Sequence, residues 1–149
     1  MNNSLDIRKT IQSEFRQYEE AFAQSLQSDN ALLRQVLDYI HSKRGKQLRP
    51  ILVLLSAALC RGVTEKTIQT AVALELMHTA SLIHDDVVDD SPMRRGGEAV
   101  HALWNNKIAV LVGDYILTRV MAILAELRNV SILNIVSDMG ASLTSGELL

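Results

Sequence analysis

The sequence predicts an all-α protein, and three observations carry that prediction. Apolar residues recur at steps of three and four along most of the chain, the spacing of one buried stripe on a helix. The apolar content is Leu, Ile, Val and Ala rather than aromatic (4%), and only two prolines interrupt it. No stretch alternates apolar and polar residues with a period of two, so no strands are expected.

The elements follow in chain order. Ile7, Ile11, Phe15, Tyr18, Phe22 and Leu26 mark one amphipathic helix. Ser28-Asp29-Asn30 breaks it and can cap a second helix from Ala31 to about His41. Arg44-Gly45-Lys46 reads as a turn. Proline is tolerated in the first turn of a helix, so Pro50 sets a helix start between Leu48 and Pro50, and the apolar run carries that helix to Cys60. Arg61-Gly62 ends it, and Thr64 with Glu65 opens the next. The segment Glu65 to Val88 contains neither Gly nor Pro and is expected as one long helix with aspartates at its C-terminal end. Ser91-Pro92 through Gly96-Gly97 is expected as a loop. A short helix over Ala99 to Trp104 and longer ones over Ile108 to Leu127 and Val130 to Leu149 complete the chain.

No repeat, low-complexity tract or composition shift divides residues 1–149, which are expected to form a single helical domain. The chain stops at Gly146-Glu147-Leu148-Leu149, in mid-pattern and without a polar tail, so a piece of a longer protein is expected.

Composition narrows the function classes. A chain that is 48% hydrophobic and 21% charged is globular rather than disordered. The net charge of -2 leaves no basic footprint for nucleic acid. The apolar runs Ile51 to Cys60 and Ile108 to Gly113 are too short to span a bilayer, so no stable membrane insertion is expected. The start Met-Asn-Asn-Ser-Leu-Asp is not a signal peptide. The single cysteine, Cys60, rules out an internal disulfide and is expected as a buried thiol in a reducing cytoplasm.

Four groups of residues carry chemistry. Asp85, Asp86, Asp89 and Asp90 crowd a helix end. Asp85 and Asp89 are i and i+4, on one face and about 6 Å apart along the axis. Close carboxylates repel, and the C-terminal end of a helix dipole is the wrong end for anions. A hard cation such as Mg²⁺, taking its remaining ligands from water and substrate phosphates, would offset that cost. The alternative is a solvated acidic helix end. Against it stand the apolar residues before the cluster, among them Leu74, Leu76, Met77, Ala80, Leu82 and Ile83. Arg94 and Arg95 follow at once; guanidinium forks fit phosphate oxygens, although they could equally neutralise the aspartates. Lys46 and Arg49 stand three apart at a helix start, where free backbone N–H groups also favour an anion, but surface cations there are common. His78 lies two turns before Asp85 on the same face and is either a satisfied core histidine or a ligand contact. His84 reads as packing or support for the aspartates. No nucleophile setting, glycine-rich phosphate loop or zinc spacing is present.

In this order the pieces resemble the trans-isoprenyl (polyprenyl) diphosphate synthases. The matching stretches are Gly45-Lys46-Gln47-Leu48-Arg49-Pro50, His78-Thr79-Ala80-Ser81-Leu82-Ile83-His84-Asp85-Asp86-Val87-Val88-Asp89, Arg94-Arg95-Gly96 and Asn106-Lys107-Ile108-Ala109-Val110-Leu111-Val112-Gly113-Asp114-Tyr115. The look is that of the medium-to-long-chain, octaprenyl-type members. The resemblance implies the N-terminal part of the isoprenoid synthase helical bundle. It implies that Asp85, Asp86 and Asp89 hold Mg²⁺ against an allylic prenyl diphosphate, which Arg94 also contacts, and that Lys46, Arg49, His78 and Arg95 bind isopentenyl diphosphate. Diphosphate leaves, the alkene attacks the allylic carbocation, and a proton is lost; metal and cations stabilise the departing charge. Met77, Ala80 and Ser81 would set chain length, and small Ala80 and Ser81 imply a medium-to-long product. A homodimer is implied as well. Two departures stand out. Arg44 replaces the first of the family's paired glycines, and the family's second aspartate-rich motif is absent, so this chain alone is expected not to condense substrates. A non-catalytic subunit of a heteromeric synthase usually loses the first aspartates, and a class I terpene cyclase has no use for a second diphosphate cradle.

Overall fold

Helix α5 (Glu65–Val88) is the axis around which the rest of the chain packs. The computed structural model describes residues 3–149, with side chains from Ile7 onward. Around α5 stand α1 (Asn3–Thr10), α2 (Gln12–Ser25), α3 (Ala31–Ser42), α4 (Leu48–Cys60), the short α6 (Val100–Leu103), α7 (Asn106–Leu127) and α8 (Val130–Glu147). The all-α expectation holds. Its most extensive helix pairing is α5 against α7, and α4 and α2 cover the other sides of α5.

The local signals explain the boundaries. The Thr64 hydroxyl accepts from the Thr67 N–H and Thr67 reaches back to the Thr64 N–H, a reciprocal cap that opens α5. Asparagine side chains cap three helices: Asn30 accepts from the Leu33 N–H (2.9 Å), Asn105 from Ile108 (2.8 Å) and Asn129 from Ile132 (3.0 Å). The caps at Asn105 and Asn129 start α7 two residues earlier than expected and fix α8 at Val130.

The N-terminal stripe spans two helices rather than one. Ile11 leaves helical geometry (φ -119°, ψ 27°), yet its carbonyl still accepts from the Phe15 N–H at 2.8 Å. The register therefore continues across the break, and Ile11, Tyr18, Phe22 and Leu26 all reach the core while Ile7 stays exposed. Periodicity alone cannot report such a break.

The expectation of no strands is corrected at one place. Strands β1 (Met93–Arg94) and β2 (Gly97–Glu98) pair antiparallel, Met93 opposite Glu98 and Arg94 opposite Gly97. Arg95 (φ 52°) and Gly96 (φ 75°) are both left-handed, the backbone that turns a tight two-residue hairpin. Strands this short cannot show an alternating pattern.

Cys60 is exposed at the end of α4, contrary to the expected buried thiol. It is the last residue of a helix whose buried face is Pro50, Ile51 and Leu54, and the helix has run past the core by then. Helix α7, at 22 residues, is long and apolar enough to cross a membrane by length and composition. Its Ala109, Val112, Gly113, Ile116, Val120, Ile123, Leu124 and Leu127 are buried within the fold.

Candidate active site

Helix α5 ends in a sharp, well-satisfied turn that brings the following loop back onto it. Asp90 takes the left-handed conformation (φ 52°), the Asp90 N–H donates to the Val87 carbonyl, and the Ser91 N–H donates to the Asp86 carbonyl (2.9 Å). This is the two-bond Schellman closure of a helix, with Asp in the place glycine more often takes. The reversed chain pairs as β1–β2 and returns Arg94 to the helix. Its Nη2 donates to Asp86 Oδ1 (2.6 Å) and its Nε to Asp86 Oδ2 (3.1 Å). The Asp86 side chain is 5% exposed, so this two-pronged pair satisfies a buried charge.

Asp85 and Asp89 are not paired in this way. Burial first, then the Asp89 carboxylate, push the Asp85 carboxyl above its ordinary range, with Arg94 opposing and Asp86 adding to the rise. Two like charges on one face, at the negative end of a 24-residue helix, form a hard-oxygen donor set that a divalent cation relieves. The residues present therefore fit magnesium. Among the described residues no three metal-ligating side chains are drawn together into a cage. The three aspartates expected as ligands are thus not gathered at one point, because Asp86 is turned to Arg94 while Asp85 and Asp89 share the other face.

Beneath Asp85 opens a cleft of about 350 Å³ lined by Met77, Ser81, His84, Asp85, Val88, Leu117 and residues of α8. Met77 and Ser81 thus stand where the sequence reading placed them, on the aspartate face. Ala80 does not line this cleft. It is fully buried, a hundred degrees round the helix from Ser81, and it packs in the core. Gly140 of α8 leaves room for Met77: a Cβ there would stand 2.5 Å from the Met77 Cε.

His84 locks α5 to α7. Its Nε2 lies 3.1 Å from the Val110 carbonyl oxygen and 3.5 Å from Asp114 Oδ1, and its ring lies over Gly113. This is the packing role expected from its angle to Asp85.

The cations gather on the neighbouring face. Arg94 and Arg95 line a small cavity of about 60 Å³ together with Lys43, Arg44, Glu75 and Asp86. The Arg95 guanidinium lies against Gly45, where a Cβ would come within 2.8 Å of its Cζ, so the glycine of the Lys46 turn makes room for an arginine from the hairpin. His78 is half-buried, and its pKa is lowered to about 4 by burial first and then by Arg49, Arg95 and Arg94. Three of the predicted cations thus act on the predicted histidine. The Lys46 side chain is exposed, and its carbonyl accepts from Arg8 Nη2 (2.6 Å).

Two residues near the site escaped the sequence reading. Glu75, 3% exposed, sits one turn before His78, and Gln47, 7% exposed, sits between Lys46 and Arg49. A lone carboxylate inside the apolar run Ala71 to Leu76 was the available signal for the first.

Comparisons with known proteins place the chain in a family. The polyprenyl synthetase family model matches residues 30–149. An all-trans-nonaprenyl-diphosphate synthase (geranyl-diphosphate specific) of Rhodobacter capsulatus is 37% identical over 145 residues, covering 97% of this chain and 45% of the relative. The octaprenyl diphosphate synthase of Escherichia coli (strain K12) is 37% identical over 129 residues, 87% of this chain and 40% of the relative. A decaprenyl diphosphate synthase from Rhodobacter capsulatus matches with a TM-score of 0.92 and 30% identity, covering 97% of this chain and 45% of that one. A polyprenyl synthase from Caulobacter crescentus CB15, complexed with calcium and isoprenyl diphosphate, matches with a TM-score of 0.92 and 29% identity over 97% of this chain and 44% of that one. The chain spans about half the length of the curated relatives it matches. With the family model matching residues 30–149 and relatives similar over nearly all of its length, the chain belongs to the polyprenyl synthetase family.

Proposed function

We propose that this chain provides the first metal wall and the isopentenyl diphosphate cradle of a prenyltransferase that extends an allylic diphosphate to a medium-to-long trans-polyprenyl diphosphate. The observation that carries the reading is the pairing of two unlike surfaces on one helix. Asp85 crowns an apolar cleft, and His78, on the same face two turns earlier, stands within the field of Arg49, Arg95 and Arg94. A prenyl diphosphate presents the matching halves, a multiply charged head and a hydrocarbon tail.

Each residue then has a task. Asp85 and Asp89 would hold Mg²⁺, which when bound neutralises the charge of a departing diphosphate, while Asp86, expected from the sequence as a third ligand, has both oxygens engaged by Arg94 and would steady that arginine instead. Arg94, already aimed at the aspartates, would contact the allylic head group. Lys46, Arg49, Arg95 and neutral His78 would bind and orient isopentenyl diphosphate. Met77 and Ser81 line the space into which a tail would extend, with Leu117 and Leu143 offering it apolar contact from across the cleft. Magnesium dependence is supported by the donor set and by relatives complexed with calcium and isoprenyl diphosphate. A homodimer is part of the same proposal, supported by apolar side chains left exposed on α7 and α8, among them Leu111, Met121 and Ile135.

Calorimetry on this chain tests the reading. Isopentenyl diphosphate is expected to bind, and Lys46→Ala or Arg49→Ala to weaken it about tenfold, the scale of one charge-assisted hydrogen bond. Geranyl diphosphate is expected to bind only with Mg²⁺ present and to lose that dependence in Asp85→Asn. Absence of binding by the unaltered chain, or binding indifferent to all three substitutions, refutes it.

A further inference from the structure

A buried chain of polar side chains runs beneath the turn that carries Lys46 and Arg49. The Tyr18 hydroxyl of α2 donates to Gln47 Oε1 (2.7 Å), and Gln47 Nε2 donates to Glu75 Oε1 of α5 (3.5 Å). Tyr18, Gln47 and Glu75 are 0%, 7% and 3% exposed. Gln47 is also the residue whose backbone is left-handed (φ 59°, ψ 36°), immediately before α4. A residue with a Cβ holds that conformation only when its surroundings fix it. The two hydrogen bonds on the Gln47 amide are such a hold, and they come from two different helices.

Glu75 has no evident reason to be a carboxylate for packing. Its neighbours Ala71, Val72, Ala73 and Leu76 are all buried and apolar, and its Oε2 has no hydrogen-bond partner. A buried acid in such a place is costly unless it serves something. Burial raises its pKa, while Arg49 foremost, then Arg95 and Arg44, draw it back down, so Arg49 and Arg95 act on both His78 and Glu75.

We infer that Glu75 is a positioning residue of the diphosphate cradle: by accepting from the Gln47 amide it fixes the left-handed turn that sets Lys46 and Arg49 to either side, and it ties that turn to the helix bearing His78. The inference rests on reading Lys46 and Arg49 as diphosphate ligands, so its test has one arm without ligand and one with it.

In the ligand-free arm, amide hydrogen exchange is followed at Ile51, whose N–H bonds the Gln47 carbonyl, and at Ile68, whose N–H bonds the Thr64 carbonyl at the far end of α5. Glu75→Met and Tyr18→Phe are expected to speed exchange at Ile51 about tenfold and leave Ile68 unchanged, the loss of one buried hydrogen bond. Glu75→Gln, which keeps an acceptor for the Gln47 amide, is expected to restore most of the protection. In the second arm, isopentenyl diphosphate is titrated into the same variants. Glu75→Met is expected to weaken binding about tenfold, Glu75→Gln to recover it, and Glu75→Met with Lys46→Ala to be no weaker than Lys46→Ala alone. A purely electrostatic role makes Met and Gln equivalent, both tightening the hold on an anion, and that result overturns the inference. Unchanged exchange at Ile51 in Glu75→Met overturns it also, whatever the ligand does. If the unaltered chain binds no diphosphate while the exchange arm behaves as expected, the ligand reading fails and the positioning of the turn stands.

Discussion

Gly113→Ala isolates one contact between α5 and α7 and predicts a change of sign. Gly113 is buried in the interior of α7, where replacing glycine with alanine normally stabilises a helix by about 1 kcal/mol. Here an added Cβ would stand 2.2 Å from His84 Nε2 and 2.5 Å from its Cδ2, so the ring has to leave. Displacing a packed ring costs about 1–3 kcal/mol, and losing the bond to the Val110 carbonyl costs about 0.5–1.5 more. The net expectation is a loss of about 0.5–3.5 kcal/mol. In a His84→Ala background the obstacle is gone, and the same Gly113→Ala change should stabilise by up to about 1 kcal/mol. Urea denaturation followed by circular dichroism measures both, with a constant slope required for the comparison. If Gly113→Ala has the same effect in both backgrounds, the ring is not what the glycine accommodates and the reasoning fails.

Three other outcomes are expected. Arg94→Met strands the Asp86 carboxylate, 5% exposed, and should cost about 2–3 kcal/mol in urea unfolding, below the usual figure for a broken buried pair because Arg94 is itself 38% exposed. His78 has a native pKa of about 4 against an ordinary 6.5, so between those values the unfolded chain binds the extra proton and stability falls as pH falls. The full shift corresponds to about 3 kcal/mol, and partial exposure reduces this to about 1–2 kcal/mol, read as the difference between the unaltered chain and His78→Asn across that interval. Taking the difference matters because Asp85 and Glu75, with raised pKa values, tilt the profile the other way. Ser81→Phe should be tolerated within about 1 kcal/mol because it projects into the 350 Å³ cleft, whereas Ala80→Phe should cost about 3 kcal/mol or more by overpacking the core; equal thermal stabilities would contradict the placement of these two residues.

The sequence was most legible where one residue type enforces one geometry. Pro50 and the run behind it set the start of α4 to within one turn and its end at Cys60, and the Gly- and Pro-free stretch set α5 to both ends. It was least legible where the determinant is a contact between distant segments. Nothing local says that Arg94 folds back onto Asp86, because that needs the left-handed Asp90 and a hairpin two residues long on each side. Helix phase does separate Ser81, about 40° round from Asp85, from Ala80, about 140° round, and grouping the two as one turn overlooked it; the approach of α8 then makes the Ser81 side a cleft. Cys60 shows the limit of residue-type preference, since its burial depended on how far α4 outruns its neighbours. Glu75 was visible as an oddity, but its meaning required knowing that the Gln47 turn lies against it.

Helix α5 also acts as a ruler. His78 and Asp85 stand on one uninterrupted rod, so the distance between these two polar stations is set by helical rise alone, about 10.5 Å for seven residues. Lengthening or shortening any loop elsewhere in the chain leaves that distance untouched. An inserted residue between the two stations would change it by only about 1.5 Å but would turn one by about 100° relative to the other, onto a different face. Spacing along the rod is therefore close to unadjustable by small steps. What can be adjusted is the lining, Met77 and Ser81 on the rod and Leu117, Gly140 and Leu143 across from it. A helix built this way lets the lining of the cleft vary while the separation of its two polar stations stays fixed.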